Sequence, residues 1–179
     1  MAHPSSPAAG IALATCLVVL AAAGLVGDAG PAAAQREACA RGEPAPLLVA
    51  APGRPKPAFV RTGQHEALET FPVDSKTELA IHHFGCAHFA LEFTFTTRSA
   101  PPKRATAWPA RAARWLRSLP VTPSQRRVFE HIARQLEQAG ARGYAPGTPL
   151  QVTETATLTL DVHRGPSDTR LVVLYDVAL

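Results

Sequence analysis

The chain contains no asparagine, so no Asn-x-Ser/Thr acceptor for N-glycosylation exists in its 179 residues. Lysine is nearly absent: Lys56, Lys76 and Lys103 stand against fifteen arginines. With abundant Ala and Pro, that bias is typical of GC-rich bacterial genomes. The signatures of common chemistries are also missing. There is no G-x-S-x-G elbow, no G-x-x-x-x-G-K phosphate loop and no dinucleotide fingerprint. His65-Glu66 opens like a zincin helix, but Ala67-Leu68-Glu69 follows and the second histidine never comes. Beyond residue 34 the serines are Ser75, Ser99, Ser118, Ser124 and Ser167, none in a nucleophile context. Carboxylate pairs such as Glu66/Glu69 and Glu78/Glu92 are what surface strands ordinarily carry. The sequence therefore names no catalytic residue and no cofactor, and it points to binding rather than turnover, with a hydrolase as a third reading.

What is present begins with a long apolar run, Gly10–Val26, broken by Asp28 and Pro31 and followed by Ala32-Ala33-Ala34. An apolar core ahead of a small-x-small site reads as a secretory signal peptide over residues 1–34, cleaved between Ala34 and Gln35. No Lys or Arg precedes the run, so its positive end is the α-amino group with His3. An uncleaved N-terminal anchor is the alternative, since the run approaches the length of a membrane span. A lipoprotein is excluded, because Thr15 precedes Cys16 where a small residue is needed and the run before it is too short. The expected location is periplasmic or extracellular, with no transmembrane segment in the mature chain. Cleavage removes Asp28, the only charged residue of the leader, and raises the formal charge from +4 to +5.

Cys16 leaves with the leader. Cys39 and Cys86 remain, an even pair that an oxidising compartment would join as a disulfide worth roughly 4 kcal/mol on the chain-entropy model. No C-x-x-C accompanies them to favour free thiols in a metal or redox role.

The remaining residues suffice for one domain. Residues 35–62 read as an extended arm, with five prolines and two glycines between Gly42 and Pro57. Residues 63–179 read as a single α+β domain. Glu66–Phe71 is a candidate short strand. Thr77–Thr97 alternates strictly: Leu79, Ile81, His83, Phe89, Leu91, Phe93 and Phe95 share one parity. Its turn is expected at Phe84-Gly85-Cys86. Trp108–Leu119 switches to helical spacing and stops at Pro120. Thr122-Pro123-Ser124-Gln125 then reads as a capping box opening a second helix that ends at Gly140. Leu150–Val162 alternates again, and Leu171–Val177 is apolar on both parities, as expected of a central strand. The spacing thus predicts an antiparallel sheet of two hairpins, β-β-α-α-β-β, packed against two amphipathic helices.

Two constellations could carry function. The first is charge. From Phe93 to Phe129 there is no Asp or Glu but eight cations. Arg111, Arg114 and Arg117 form a stripe on the first helix, away from the tryptophans, and Arg126 and Arg127 open the second. Like charges three apart oppose their own helix, so the stripe suits an anionic surface, glycan or acidic protein. Export argues against nucleic acid. The function this implies is a non-catalytic binding or inhibitory module. The alternative is a metal-binding protein: the expected turn sets His82 opposite His88, near enough to share a metal ion, with His65, Glu78 or Glu92 as a third ligand.

Overall fold

The computed structural model describes residues 42–144 and 146–179. Strands β1 (Ala58–Arg61), β2 (Ala67–Asp74), β3 (Thr77–Phe84) and β4 (His88–Thr97) run as an antiparallel meander. Helices α1 (Trp108–Ser118) and α2 (Pro123–Ala141) follow, then β5 (Leu150–Gln151), β6 (Ala156–Arg164) and β7 (Thr169–Ala178). The class is α+β as expected, but four strands precede the helices and three follow, in place of two and two. All seven belong to one antiparallel sheet ordered β1-β2-β3-β4-β7-β6-β5. The second meander enters at the far edge, so β7 closes the sheet beside β4 in ten-residue register, from His88 opposite Ala178 to Thr97 opposite Thr169.

β7 is therefore central, as its two-sided apolarity suggests. Leu171 and Val173 are buried beneath the helices, while Val172 and Leu174 on the other face are only half-buried. Two strand expectations change. β2 extends past Pro72, because β1 pairs β2 no further than Thr70 and leaves an edge where a missing amide hydrogen costs nothing. The segment expected as one strand over Leu150–Val162 is broken into β5 and β6 by a tight turn, in which Val152 and Thr153 donate to the Ala156 carbonyl.

Both helices pack on the sheet face defined by Phe71, Leu79, Ile81, Leu91, Phe93 and Phe95. Phe93 meets Phe129 of α2 edge-on at 5.4 Å, and Phe95 stacks on Trp115 of α1 at 5.1 Å. Half of the expected capping box of α2 forms: the Thr122 hydroxyl accepts the Gln125 amide at 3.3 Å, while the Thr122 amide donates to the Leu47 carbonyl at 3.4 Å and not to the Gln125 side chain. Gly140 does not end α2. The helix continues to Ala141, and Gly143, at φ +75°, supplies the left-handed residue beyond it. Gly140 is there for packing: a Cβ would sit 3.2 Å from the Thr106 carbonyl and 3.3 Å from Pro109.

The proline-rich segment is irregular over residues 42–57 but not peripheral. Leu47 and Leu48 are buried in the core, Leu48 bridges Val121, and Val49 donates to the Pro120 carbonyl at 2.7 Å. β1, placed by sequence in the same arm, is an edge strand of the sheet. The expected boundary at residue 63 thus cuts through packed structure. Apolar Leu47-Leu48-Val49 supplies the reason, because prolines forbid a ladder on that stretch but not burial.

Candidate functional site

The basic surface arises because α1 and α2 bury small and aromatic residues inward and leave arginines outward. Between Arg98 and Arg142 lie ten cations and two carboxylates, and eight of the ten cations are exposed. The rest of the described chain carries ten carboxylates and six cations. Charge is thus segregated between the helical layer and the sheet.

The five arginines singled out by spacing do not share one fate. Arg114 and Arg127 are exposed, and their guanidinium groups make no hydrogen bond or ion pair among the described residues. Arg117 grips Glu137 of α2 with both terminal guanidinium nitrogens, Nη1 donating to Oε1 and Nη2 to Oε2, the latter at 2.7 Å. Arg126 reaches back to the carbonyls of Arg117 and Leu119, at 3.4 and 3.5 Å, and so serves the C-terminal end of α1. Arg111 donates to the Ala100 carbonyl at 3.0 Å and lies over the rings of Trp108 and Trp115, at 5.3 and 5.8 Å. It belongs with the tryptophans, not away from them as its spacing suggested, because its long stem lets the guanidinium fold back across the ring faces.

The hydrogen bond from Arg117 holds the Glu137 carboxyl below its ordinary range, and burial opposes this only in part. A carboxylate lowered on folding contributes stability that is complete above its unfolded pKa and is lost as pH falls through the folded value. Both partners are more than a third exposed, so the effect is at most about 1 kcal/mol. In urea unfolding below pH 5, Glu137→Gln should erase a small acid-induced loss of stability present in the parent.

The expected histidine pair does not form. β3 and β4 pair so that His82 faces Glu92 and the last pair is Phe84 with Ala90. His88 instead lies opposite Ala178 of β7. The parity of the faces was right, but the partner of His82 lies four residues further along β4 than expected. Gly85 explains the wider turn: it sits at φ +111°, and a Cβ there would lie 2.3 Å from the His88 carbonyl oxygen. Among the described residues no group of three His, Cys, Asp or Glu could hold a metal ion. Cys86 lies in this turn, lining a cleft of about 480 Å³ with His65; its expected partner Cys39 is outside the described residues.

One polar site was missed by the sequence reading. Glu69, fully buried, accepts the Leu47 and Leu48 amides on its two carboxylate oxygens, at 3.0 and 2.9 Å. His83, buried on the same inward face, brings Nε2 to 3.4 Å from Glu69 Oε2 without hydrogen-bond geometry, and Phe59 meets its ring edge-on. Two successive amides closing on one carboxylate form a charge-assisted clamp. It docks the irregular segment onto the sheet. The signal was readable in part, since Ala67, Glu69 and Phe71 alternate inward.

The sheet face opposite the helices is covered by no helix among the described residues. It carries Val60 and Leu68 exposed, with two shallow clefts of about 360 and 490 Å³ meeting at Ala80 and Thr94. Among the described residues no helix is long and apolar enough to cross a membrane. Comparisons with protein-family models, curated proteins and solved structures find no match to this chain.

Proposed function

We propose that this chain is an exported, non-catalytic binding module of the periplasm or cell exterior that presents its basic helical layer to an anionic partner. The observation that carries the reading is the segregation of charge: ten cations against two carboxylates from Arg98 to Arg142, with eight of the cations exposed. Arg111, Arg117 and Arg126 brace the layer through their internal contacts. Of the five arginines singled out by spacing, Arg114 and Arg127 have guanidinium groups to spare for a ligand. Guanidinium forks suit sulfate, phosphate and carboxylate groups. The apolar leader over residues 1–34 supports export, and a Cys39–Cys86 bridge would suit that compartment.

Retention on an immobilised sulfated polysaccharide tests the reading. The exported chain should elute only at raised salt, and Arg114→Gln/Arg127→Gln should elute distinctly earlier with its thermal unfolding unchanged. Equal retention of parent and variant would refute the assignment. Intact mass of the exported protein checks the location: the chain should begin at or near Gln35 and show no alkylatable thiol before reduction.

A further inference from the structure

We propose that the helix-free face of the sheet is a docking surface for the basic helical layer of a second copy of this chain, so that copies associate head to tail. The inference rests on the helical layer being an anion-binding surface, and names a partner for it.

The sheet's outward positions form rows across the strands. One row reads Val60, Leu68, His82, Glu92, Leu174, Thr159, and its neighbour reads Thr70, Ala80, Thr94, Val172, Asp161. Glu78 and Asp176 stand in the rows on either side. Four carboxylates therefore share this face with a single permanent cation, Arg170, beside His82, His88 and His163. One of the carboxylate oxygens, Asp176 Oδ1, is buried without a hydrogen-bond partner. Half-buried Val172 and Leu174 lie among them, and Val60, 58% exposed, with Leu68, 39% exposed, forms an apolar edge on β1 and β2. A face that is acidic from β3 to β6 and apolar at its β1–β2 edge, with no helix over it among the described residues, complements the span from Arg98 to Arg142, where eight cations are exposed.

The dimensions fit. From β2 to β6 the strands cover about 24 Å, and eight residues of strand extend about 27 Å, together roughly 650 Å². A standard interface takes about 800 Å² from each partner. Association at this size and charge is weak and salt-sensitive. It is also heterologous: each copy that docks leaves one sheet face and one helical layer open, so growth does not close at a dimer.

Sedimentation of the exported chain tests this with two variants, one of each surface. At low salt the parent should gain mass steadily with concentration, and at about 1 M salt, where the screening length is about 3 Å, it should return to monomer. Glu78→Lys/Glu92→Lys on the sheet and Arg114→Gln/Arg127→Gln on the helices should each be monomeric alone. Mixed together they should form a one-to-one dimer and nothing larger, since one intact surface remains on each. If the lysine variant fails to fold, Glu78→Gln/Glu92→Gln should still weaken association several-fold. A parent that stays monomeric at millimolar concentration and low salt overturns the inference, as does a mixture that stays monomeric. Retention on the sulfated polysaccharide, lost only in the helical variant, would in that event leave the anion-binding reading standing. Loss of neither association nor retention in the helical variant would refute both.

Discussion

Glu69→Ala should destabilise the protein by about 3–5 kcal/mol, because it strands the two buried amides of Leu47 and Leu48 and empties the space between them and His83. The loss should be selective in character. The segment over residues 42–57 has prolines in place of ladder hydrogens, so the carboxylate and the burial of Leu47 and Leu48 hold it together with the bridge to Pro120 and Val121 and the Arg54 hydrogen bonds. Glu69→Gln keeps one acceptor oxygen and should cost less, about 1–2 kcal/mol. Urea unfolding of the three proteins measures the series, and hydrogen exchange at Leu47 and Leu48 locates it. Those two amides should exchange through global unfolding in the parent and far faster in Glu69→Ala. A change within about 0.5 kcal/mol would mean that the clamp contributes nothing net.

Phe93→Ala should cost a similar amount, about 3–5 kcal/mol, for a different reason. Phe93 is fully buried on a central strand and meets Phe129 edge-on, so it ties α2 to the sheet. Truncation leaves a cavity at the junction of the two layers. The aromatic pair itself should account for about 0.5–1.5 kcal/mol, recoverable from a double-mutant cycle with Phe129→Leu and Phe93→Leu. The functional consequence follows from position. α2 carries Arg127 and, through Glu137, restrains Arg117 on α1, so a loosened α2 should also weaken binding to sulfated polysaccharide. Stability near the parent's would show that the helices are held elsewhere.

Local rules carried the sequence reading where the structure is local. Strict alternation placed the inward faces of β3 and β4, helical spacing placed α1, and the Thr122 box placed the start of α2. Parity, however, assigns faces and not register: a pairing with Phe84 opposite Ala90 keeps the same faces as one with His82 opposite His88. Deciding between them needs the positive φ of Gly85, which the sequence does not display. The end of α2 turned on two glycines three apart, and tertiary packing against Pro109 chose Gly140 for the helix interior. The β4–β7 pairing joins residues some eighty positions apart and has no local signature. The basic layer was legible as a count of charges. Its internal commitments were not, because Arg117 meets a carboxylate on another helix and Arg111 finds rings that its helical angle alone puts elsewhere. The clamp was legible by half: Glu69 is inward by alternation, but its donors come from a segment with no period at all.

Salt dependence of affinity for a sulfated oligosaccharide, measured by calorimetry on the exported chain, tests the anion-binding layer most directly. A site of several guanidinium contacts should lose affinity linearly on a log–log plot against salt, with a slope that grows with the number of anionic groups neutralised, as at other polyanion surfaces. Arg114→Gln/Arg127→Gln should bind at least about tenfold more weakly and flatten that slope by about one to two. Affinity independent of salt, or a slope and affinity unchanged by the two substitutions, would contradict the account.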